Sequence, residues 1–321
     1  MPDNAATNLA EPRTKYERLI ARAQKQACIR TAIAHPCDDV SLQSAVEAAR
    51  LHLIEPILVG PADRVRRIAA TAGFDISGME VVDSSHSQES AAKAVELVSA
   101  GKAEALMKGS LHTDELMGAV VSRHAGIRTA RRISHCFIMD VPGHADALII
   151  TDAAVNIAPT LDDKVDIVQN AIDLAHALGV TEVRVAVLSA METVNAKVLS
   201  TIEAAALCKM ADRGQITGAM IDGPLALDNA ISPEAAAIKR IASPVAGRAN
   251  VLVVPDLEAG NMLAKSLSFL AHAEAAGIVL GARVPIILTS RADSLVTRLA
   301  SCAVAVMLAA ARRRSASAAI S

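Results

Sequence analysis

Aromatic side chains are scarce in this chain of 321 residues, which has one Tyr, three Phe and no Trp. A surface that recognises nucleic acid by stacking bases on rings is disfavoured by that shortage. The core must be aliphatic, and a hydrophobic content of 52% allows it. Charge of one sign is also missing. A formal net charge of −2 gives no overall attraction to nucleic acid or to an anionic membrane. Cysteine is present without pattern: Cys28, Cys37, Cys136, Cys208 and Cys302 are odd in number, form no C-x-x-C and have no zinc-like His/Cys spacing. They read as buried structural thiols of a reduced, cytoplasmic protein. Residues 1–12 lack the apolar core of a signal peptide. The longest apolar run, 299–311, is too short to span a bilayer and reads as a buried helix or a subunit contact.

Standard signatures are absent as well. No G-x-G-x-x-G and no G-x-x-x-x-G-K-[ST] occurs, which removes the usual dinucleotide and nucleotide loops. No G-x-S-x-G elbow and no H-E-x-x-H occurs either. His35, His112, His135 and His144 fall near strand ends or turns and read as structural or exposed.

What is present is alternation. After an amphipathic helix at 14–27, strand-like and helix-like stretches follow each other: strands at 29–34, 55–59, 79–82 and 105–107, with helices at 38–53, from 60 onward, 87–100 and 112–122. Runs 133–139 and 147–151 flank Pro142-Gly143-His144 at short separation, which predicts antiparallel pairing. Helices at 161–178, 193–211, 232–241 and 258–275 then alternate with strands at 183–188, 219–221 and 251–254. Such alternation predicts an α/β fold with mainly parallel sheets flanked by helices.

The last strand, 286–289, runs into Ser290-Arg291 and a helix over 293–311. In a parallel α/β sheet that junction faces a ligand crevice, and a hydroxyl beside a guanidinium suits a phosphate or an acyl oxygen. Other predicted strand ends carry Asp83-Ser84, Lys108-Gly109-Ser110, Asp140, Ser189, Asp222-Gly223-Pro224 and Pro255-Asp256. One such junction is ordinary turn chemistry. Seven together predict a common crevice. Arg123, Arg128, Arg131 and Arg132 form a local basic cluster that suits a phosphorylated ligand, or a solvated helix face.

Four ordered segments carry a family resemblance: Asp222-Gly-Pro-Leu-Ala-Leu-Asp-Asn-Ala-Ile231, Ser243-Pro-Val-Ala-Gly-Arg-Ala-Asn-Val251, Pro255-Asp-Leu-Glu-Ala-Gly-Asn261 and Thr289-Ser-Arg-Ala-Asp-Ser294. Together they resemble the phosphate acetyltransferase/butyryltransferase family, and Lys108–Thr113 and Arg128–Asp140 resemble its butyryltransferase-like branch. The resemblance implies reversible transfer of a short acyl group between coenzyme A and phosphate. It implies two α/β domains of the isocitrate/isopropylmalate dehydrogenase type, residues 1–128 with 277–321 and residues 129–276, around a cleft. A homodimer is implied, with no permanently bound cofactor and no metal; acyl-CoA, phosphate and acyl phosphate are its partners.

By the same resemblance Ser290 donates to the reacting oxygen and Arg291 holds the phosphoryl group. Lys108, Ser110, Arg128, Asp222, Asp256 and Asn261 are the expected substrate-binding residues. The chain departs from the acetyltransferase pattern twice. Thr297 stands where that pattern has the aspartate that takes the thiol proton, and Asp293, expected on the same helix face, is the substitute. Met117-Gly118 stands where the pattern has an arginine, so Lys108 or Arg128 must supply the cation, and a wider acyl pocket is compatible. Two other readings remain open at this level: a non-catalytic acyl-CoA sensor, and an NAD(P)-dependent dehydrogenase with Asp222, Asp228 and Asp256 about a metal.

Overall fold

A computed structural model describes residues 14–122, 127–290 and 292–318. In chain order the elements are α1 Lys15–Ala23, β1 Ile29–Ala34, α2 Asp39–Arg50, β2 Ile54–Gly60, α3 Ala62–Ala72, β3 Glu80–Asp83, α4 Ser87–Ser99, β4 Ala105–Lys108, α5 Thr113–Val121, β5 Ser134–Asp140 and β6 Leu148–Thr151. They continue with α6 Leu161–Ala177, β7 Arg184–Leu188, α7 Leu199–Asp212, β8 Met220–Leu225, α8 Leu227–Ile231, α9 Pro233–Ile238, β9 Val251–Val253, α10 Leu257–Leu270, β10 Glu274–Leu280, β11 Ile286–Ile287 and α11 Leu295–Ala318.

The fold is α/β, but the sheet is one ladder of eleven strands in the order β3-β2-β1-β4-β11-β10-β5-β6-β9-β7-β8. It is mixed, with seven of its ten pairings parallel among the described residues. β10 is antiparallel to both β11 and β5, and β5 is antiparallel to β6 in the register Cys136↔Thr151. The hairpin-like pairing expected of 133–139 and 147–151 is thus present. On either side the pairings are parallel. The three reversals at the centre leave β6, β9, β7 and β8 running against β1, β2, β3, β4 and β11. Carboxyl ends in the two halves therefore point in opposite directions, and the seven strand-end junctions do not share one crevice.

Alternation along each strand builds the layers. In β1, Ile29 and Ile33 enter the core beneath α1, α2 and α11, while Ala32 and Ala34 enter the core beneath α4 and α5. A third cluster, including Met139, Ile150, Leu252 and Ala264, covers the other face of the second half. Helix α11 is long and apolar enough to cross a membrane by length and composition, yet 78% of its apolar window is buried within the protein. It packs on α1, α2, α6 and β10.

Differences from the sequence expectation have local causes. Helix 258–275 ends at Leu270, and β10 starts at Glu274. Ala and Glu favour helix locally, but His272 takes a positive φ of 54° and the following residues pair with β5 over seven positions. Helix α7 begins six residues later than expected, at Leu199, and the expected helix 232–241 is the short α9, preceded by α8. Of the five cysteines only Cys37, Cys136 and Cys302 are buried; Cys28 is exposed and Cys208 half-buried, so the expectation of five buried thiols fails.

The central seam is tied to α1 by Tyr16, the chain's one tyrosine. Its buried hydroxyl faces the carbonyls of Ile138 and Glu274 and accepts the Ala276 N–H at 2.6 Å. Burial pushes its pKa far up, which keeps it a hydrogen-bond donor. Tyr16→Phe strands a buried N–H between β5 and β10 and is expected to cost about 1–3 kcal/mol in urea unfolding.

Candidate active site

Where β4 and β11 end, against the start of β10 and the second half of α10, a cavity of about 800 Å³ opens. Lys108, Asn261, Ser290 and Asp293 all line it, so four of the expected site residues come together. Thr297, His135 and Glu274 line it too.

Lys108 is the last residue of β4, half-buried, and its Nζ donates to the carbonyls of Gly109 and Leu111 at 3.2 Å each. The chain can leave β4 beside β1 only because residue 109 is glycine: a Cβ there would sit 2.4 Å from the Ala34 oxygen. The next residue, Ser110, uses its hydroxyl to brace this turn, donating to the His35 carbonyl at 2.9 Å and accepting from the Cys37 N–H. It faces a neighbouring crevice with His35, Arg64 and His112 rather than the main cavity.

Ser290 and Asp293 occupy the turn between β11 and α11. The Ser290 N–H donates to Asp293 Oδ2 at 2.6 Å, and Ser290 Oγ accepts from the Ala292 N–H at 3.3 Å. The helix begins at Leu295, with Ser294 Oγ accepting from the Thr297 N–H. Asp293 therefore stands in the turn before the helix, not on a shared helical face with Thr297. Burial raises its pKa, against the lowering effects of the Ser290 N–H, Arg298 and Lys108. Arg298 is buried, donates to the Asp293 carbonyl at 2.7 Å and leaves its Nε without a partner. Glu274 at the start of β10 is also raised, by burial first, although Ser294 donates to it.

Asn261 lies in the second turn of α10 and donates to the Ala153 carbonyl at 3.3 Å. Asp256, in contrast, caps the start of that helix by accepting from the Ala259 N–H. Five residues separate it from Asn261 on the cavity wall, roughly 7.5 Å along a helix, and its carboxylate is turned to its own helix start. It is not brought to the cavity. Nor is Asp222, which lies on β8 at the far edge of the sheet and accepts the Gly223 N–H. Arg128 does not line the cavity either; it bridges to Ala282 beyond the other end of β10. The remaining arginines of its segment pair elsewhere, Arg131 with Asp173 and Arg132 with Asp163. The segment is fixed to the amino end of β5, while the cavity lies toward the opposite end. Arg291 and Arg123 lie outside the described residues.

Three lining or supporting residues were not singled out from sequence: Glu274, Arg298 and, as a site group, His135. His135 is 1% exposed, stands edge-on to Phe137 at 4.4 Å and has a buried Nδ1 without a partner. Gly277 on β10 makes room for its ring, since a Cβ there would lie 3.0 Å from Nε2. Its local sequence is an ordinary strand, so the only available signal is the pairing of a buried histidine with a glycine across two strands. Among the described residues no group of three or more His, Cys, Asp or Glu is placed to hold a metal ion.

Comparison with known proteins adds the chemistry. The family model described as phosphate acetyl/butaryl transferase matches residues 86–306. A phosphate acetyltransferase of Rhizobium meliloti is 65% identical over 304 residues, covering 95% of this chain and 96% of the relative. A phosphate butyryltransferase of Clostridium beijerinckii is 40% identical over 295 residues, covering 92% of this chain and 98% of that protein. Among solved structures, a branched-chain phosphotransacylase from Enterococcus faecalis V583 matches with a TM-score of 0.77 at 31% identity, covering 88% of this chain and 99% of that one.

Burial pushes His135 from its ordinary 6.5 down to about 4, with Asp152 opposing the shift. The unfolded chain then binds a proton that the folded chain refuses, so this contribution is full above pH 6.5 and is lost as pH falls toward 4. Melting temperatures measured across that interval should fall with acid in the wild type and fall less steeply in His135→Gln.

Proposed function

The chain belongs to the phosphate acetyl/butyryl transferase family, and from that premise we propose that it catalyses acyl-CoA + phosphate ⇌ acyl phosphate + CoA for a short acyl group. It is a transferase, and coenzyme A is in our reading a substrate rather than a resident cofactor. The observation that carries the assignment of the site is the convergence of Lys108, Asn261 and the Ser290–Asp293 turn on one cavity from three separate stretches of chain.

Toward acyl-CoA, the thiol of coenzyme A gives its proton to a base and its sulfur attacks the carbonyl carbon of the acyl phosphate. The carbonyl oxygen becomes an oxyanion, the C–O bond to phosphorus breaks and phosphate leaves with the electron pair. Ser290 Oγ is our donor to the reacting oxygen, and Lys108 supplies positive charge for the phosphate. Arg291, beside Ser290 in sequence, keeps its role as the phosphoryl-holding group on the family resemblance alone. Asp293 is our thiol base, supported by its place in the cavity and its raised pKa. Phe137, Leu288 and Ala275 offer an apolar wall on which a chain longer than acetyl can lie.

The wider assembly follows the same reading. Residues 1–128 with 277–321 and residues 129–276 form two domains of the isocitrate/isopropylmalate dehydrogenase type with the cleft between them. The insertion of β11 between β4 and β10 supports the return of the chain to its first half. A homodimer is supported by Met262, Phe269 and Leu270 on α10, of which Leu270 is 81% exposed. A cytoplasmic setting is supported by five free cysteines.

The decisive assay is thiol release from C2 to C5 acyl-CoAs with and without phosphate. Phosphate-dependent release is expected; acyl-CoA binding without release would leave a sensor. Ser290→Ala is expected to lower kcat by about 10²–10³-fold with an unchanged melting temperature. Asp293→Asn should lower kcat/KM and abolish the acid limb of the pH profile, which in the wild type sits above the ordinary carboxylate value of 3.8.

A further inference from the structure

The basic segment that the cavity does not use has a place of its own. Thr129 to Arg131 precede β5, and at that end of the sheet a second cavity of about 910 Å³ opens between β10, α6 and α11. Arg131 enters it from this segment, Arg283 from the turn after β10, and Arg312 and Arg314 from the last turns of α11. Asp173 is its one lining carboxylate. Four arginines from three stretches of chain thus line one concavity in a protein whose net charge is −2, Arg283 with its Nη2 donating to Ser99 Oγ at 3.2 Å.

Like charges are brought together here at an electrostatic cost. Arg312 is fixed through the backbone, donating from Nη1 to the Arg283 carbonyl at 2.7 Å and from Nη2 to the Ala282 carbonyl at 3.4 Å. Arg131 is held by Asp173 at 2.5 Å. Burial lowers the pKa of Arg312; Asp173 opposes this, while Arg131 adds to the lowering. Asp173 is thus shared between two cations, and Arg314 joins no ion pair among the described residues. Planar, always-charged guanidinium groups arranged in this way suit phosphate oxygens better than they suit each other.

We propose that this cavity is a second binding site, for a small phosphorylated molecule carrying at least two negative charges. It is separate from the acyl-transfer cavity. The two lie at opposite ends of β10, whose start at Glu274 and Ala275 walls the first and whose exit at Leu280 and Gly281 walls the second. The two share no lining residue. The proposal does not depend on the transferase reading, because it rests on charges that the transfer chemistry leaves idle.

Inorganic pyrophosphate is the probe, titrated calorimetrically into the full-length protein. One saturable site is expected that weakens with salt and persists in Lys108→Gln, in Ser290→Ala and in the control Arg66→Gln/Arg67→Gln on α3. Arg131→Gln/Arg314→Gln should weaken it at least tenfold, and Arg312→Gln should do the same. The double variant alters exposed groups, so it keeps the test valid if Arg312→Gln fails to fold. Three results would overturn the proposal: no saturable binding, loss in Lys108→Gln with retention in the double variant, or equal weakening in the α3 control, which would mean diffuse surface charge.

Discussion

Strand β10 is the constraint on which the rest of the molecule depends. It runs antiparallel between β11 and β5, pairs with β5 over seven residues and is buried along most of its length. Its two antiparallel pairings join β11 to β5, which run in the same sense, and the antiparallel pairing of β5 with β6 then turns the second parallel half against the first. Its amino end closes the cavity with Lys108, Ser290 and Asp293, and its carboxyl end closes the arginine-lined one. Gly277 in its middle gives His135 the space its ring needs. Gly281, with φ 85°, lets the chain turn where a Cβ would stand 2.3 Å from the Arg132 carbonyl oxygen. Two glycines four residues apart thus set both the inner wall of one cavity and the rim of the other.

Local elements were legible in the sequence wherever one face alternated or a run was short and bounded. Strand 29–34 and the antiparallel pair 134–140 with 148–151 are of this kind. β10 was not legible, because Glu-Ala-Ala carries helical propensity and only the partner strands make it extended. The antiparallel pair 134–140 with 148–151 turns the second half of the sheet against the first, and the expectation of one common crevice did not carry that turn through to the strand ends. Asp222 and Asp256 were assigned to the site on that basis and on family motifs, whereas Lys108, Ser290, Asp293 and Asn261 do meet. His135 and Arg298 were silent for a different reason: each is buried by residues distant in sequence, and no spacing rule anticipates that.

The electrostatics of the first cavity are those of a site prepared for negative charge that comes and goes. Lys108 reaches backbone carbonyls, and Arg298 lies buried behind the turn with its Nε unmatched. Both cations act on Asp293, lowering its pKa against the stronger effect of burial. A carboxylate in such a place is held near balance. Full neutralisation by a tight ion pair would make it a poor proton acceptor, and full burial without cations would keep it permanently protonated.

Of the groups lining the cavity that are able to take a proton, His135, Glu274 and Asp293 are separated by their surroundings. His135 is pushed down to about 4 by burial, so it accepts protons more weakly than an ordinary imidazole, and its Nδ1 is buried. Glu274 is raised by burial and by Asp140, and Ser294 donates to it at 3.4 Å. Asp293 is raised and is held by the Ser290 N–H itself, so its position is set by the same turn that presents the Ser290 hydroxyl. A thiol has an ordinary pKa of about 8.5, so each unit by which a carboxylate is raised narrows the gap that proton transfer must cross. Proximity adds to this, because a base fixed to the oxyanion donor needs no separate search for its place. On both counts Asp293 is favoured over the other two as the base of the proposed transfer, while the buried hydroxyl of Thr297 accepts from Ser294.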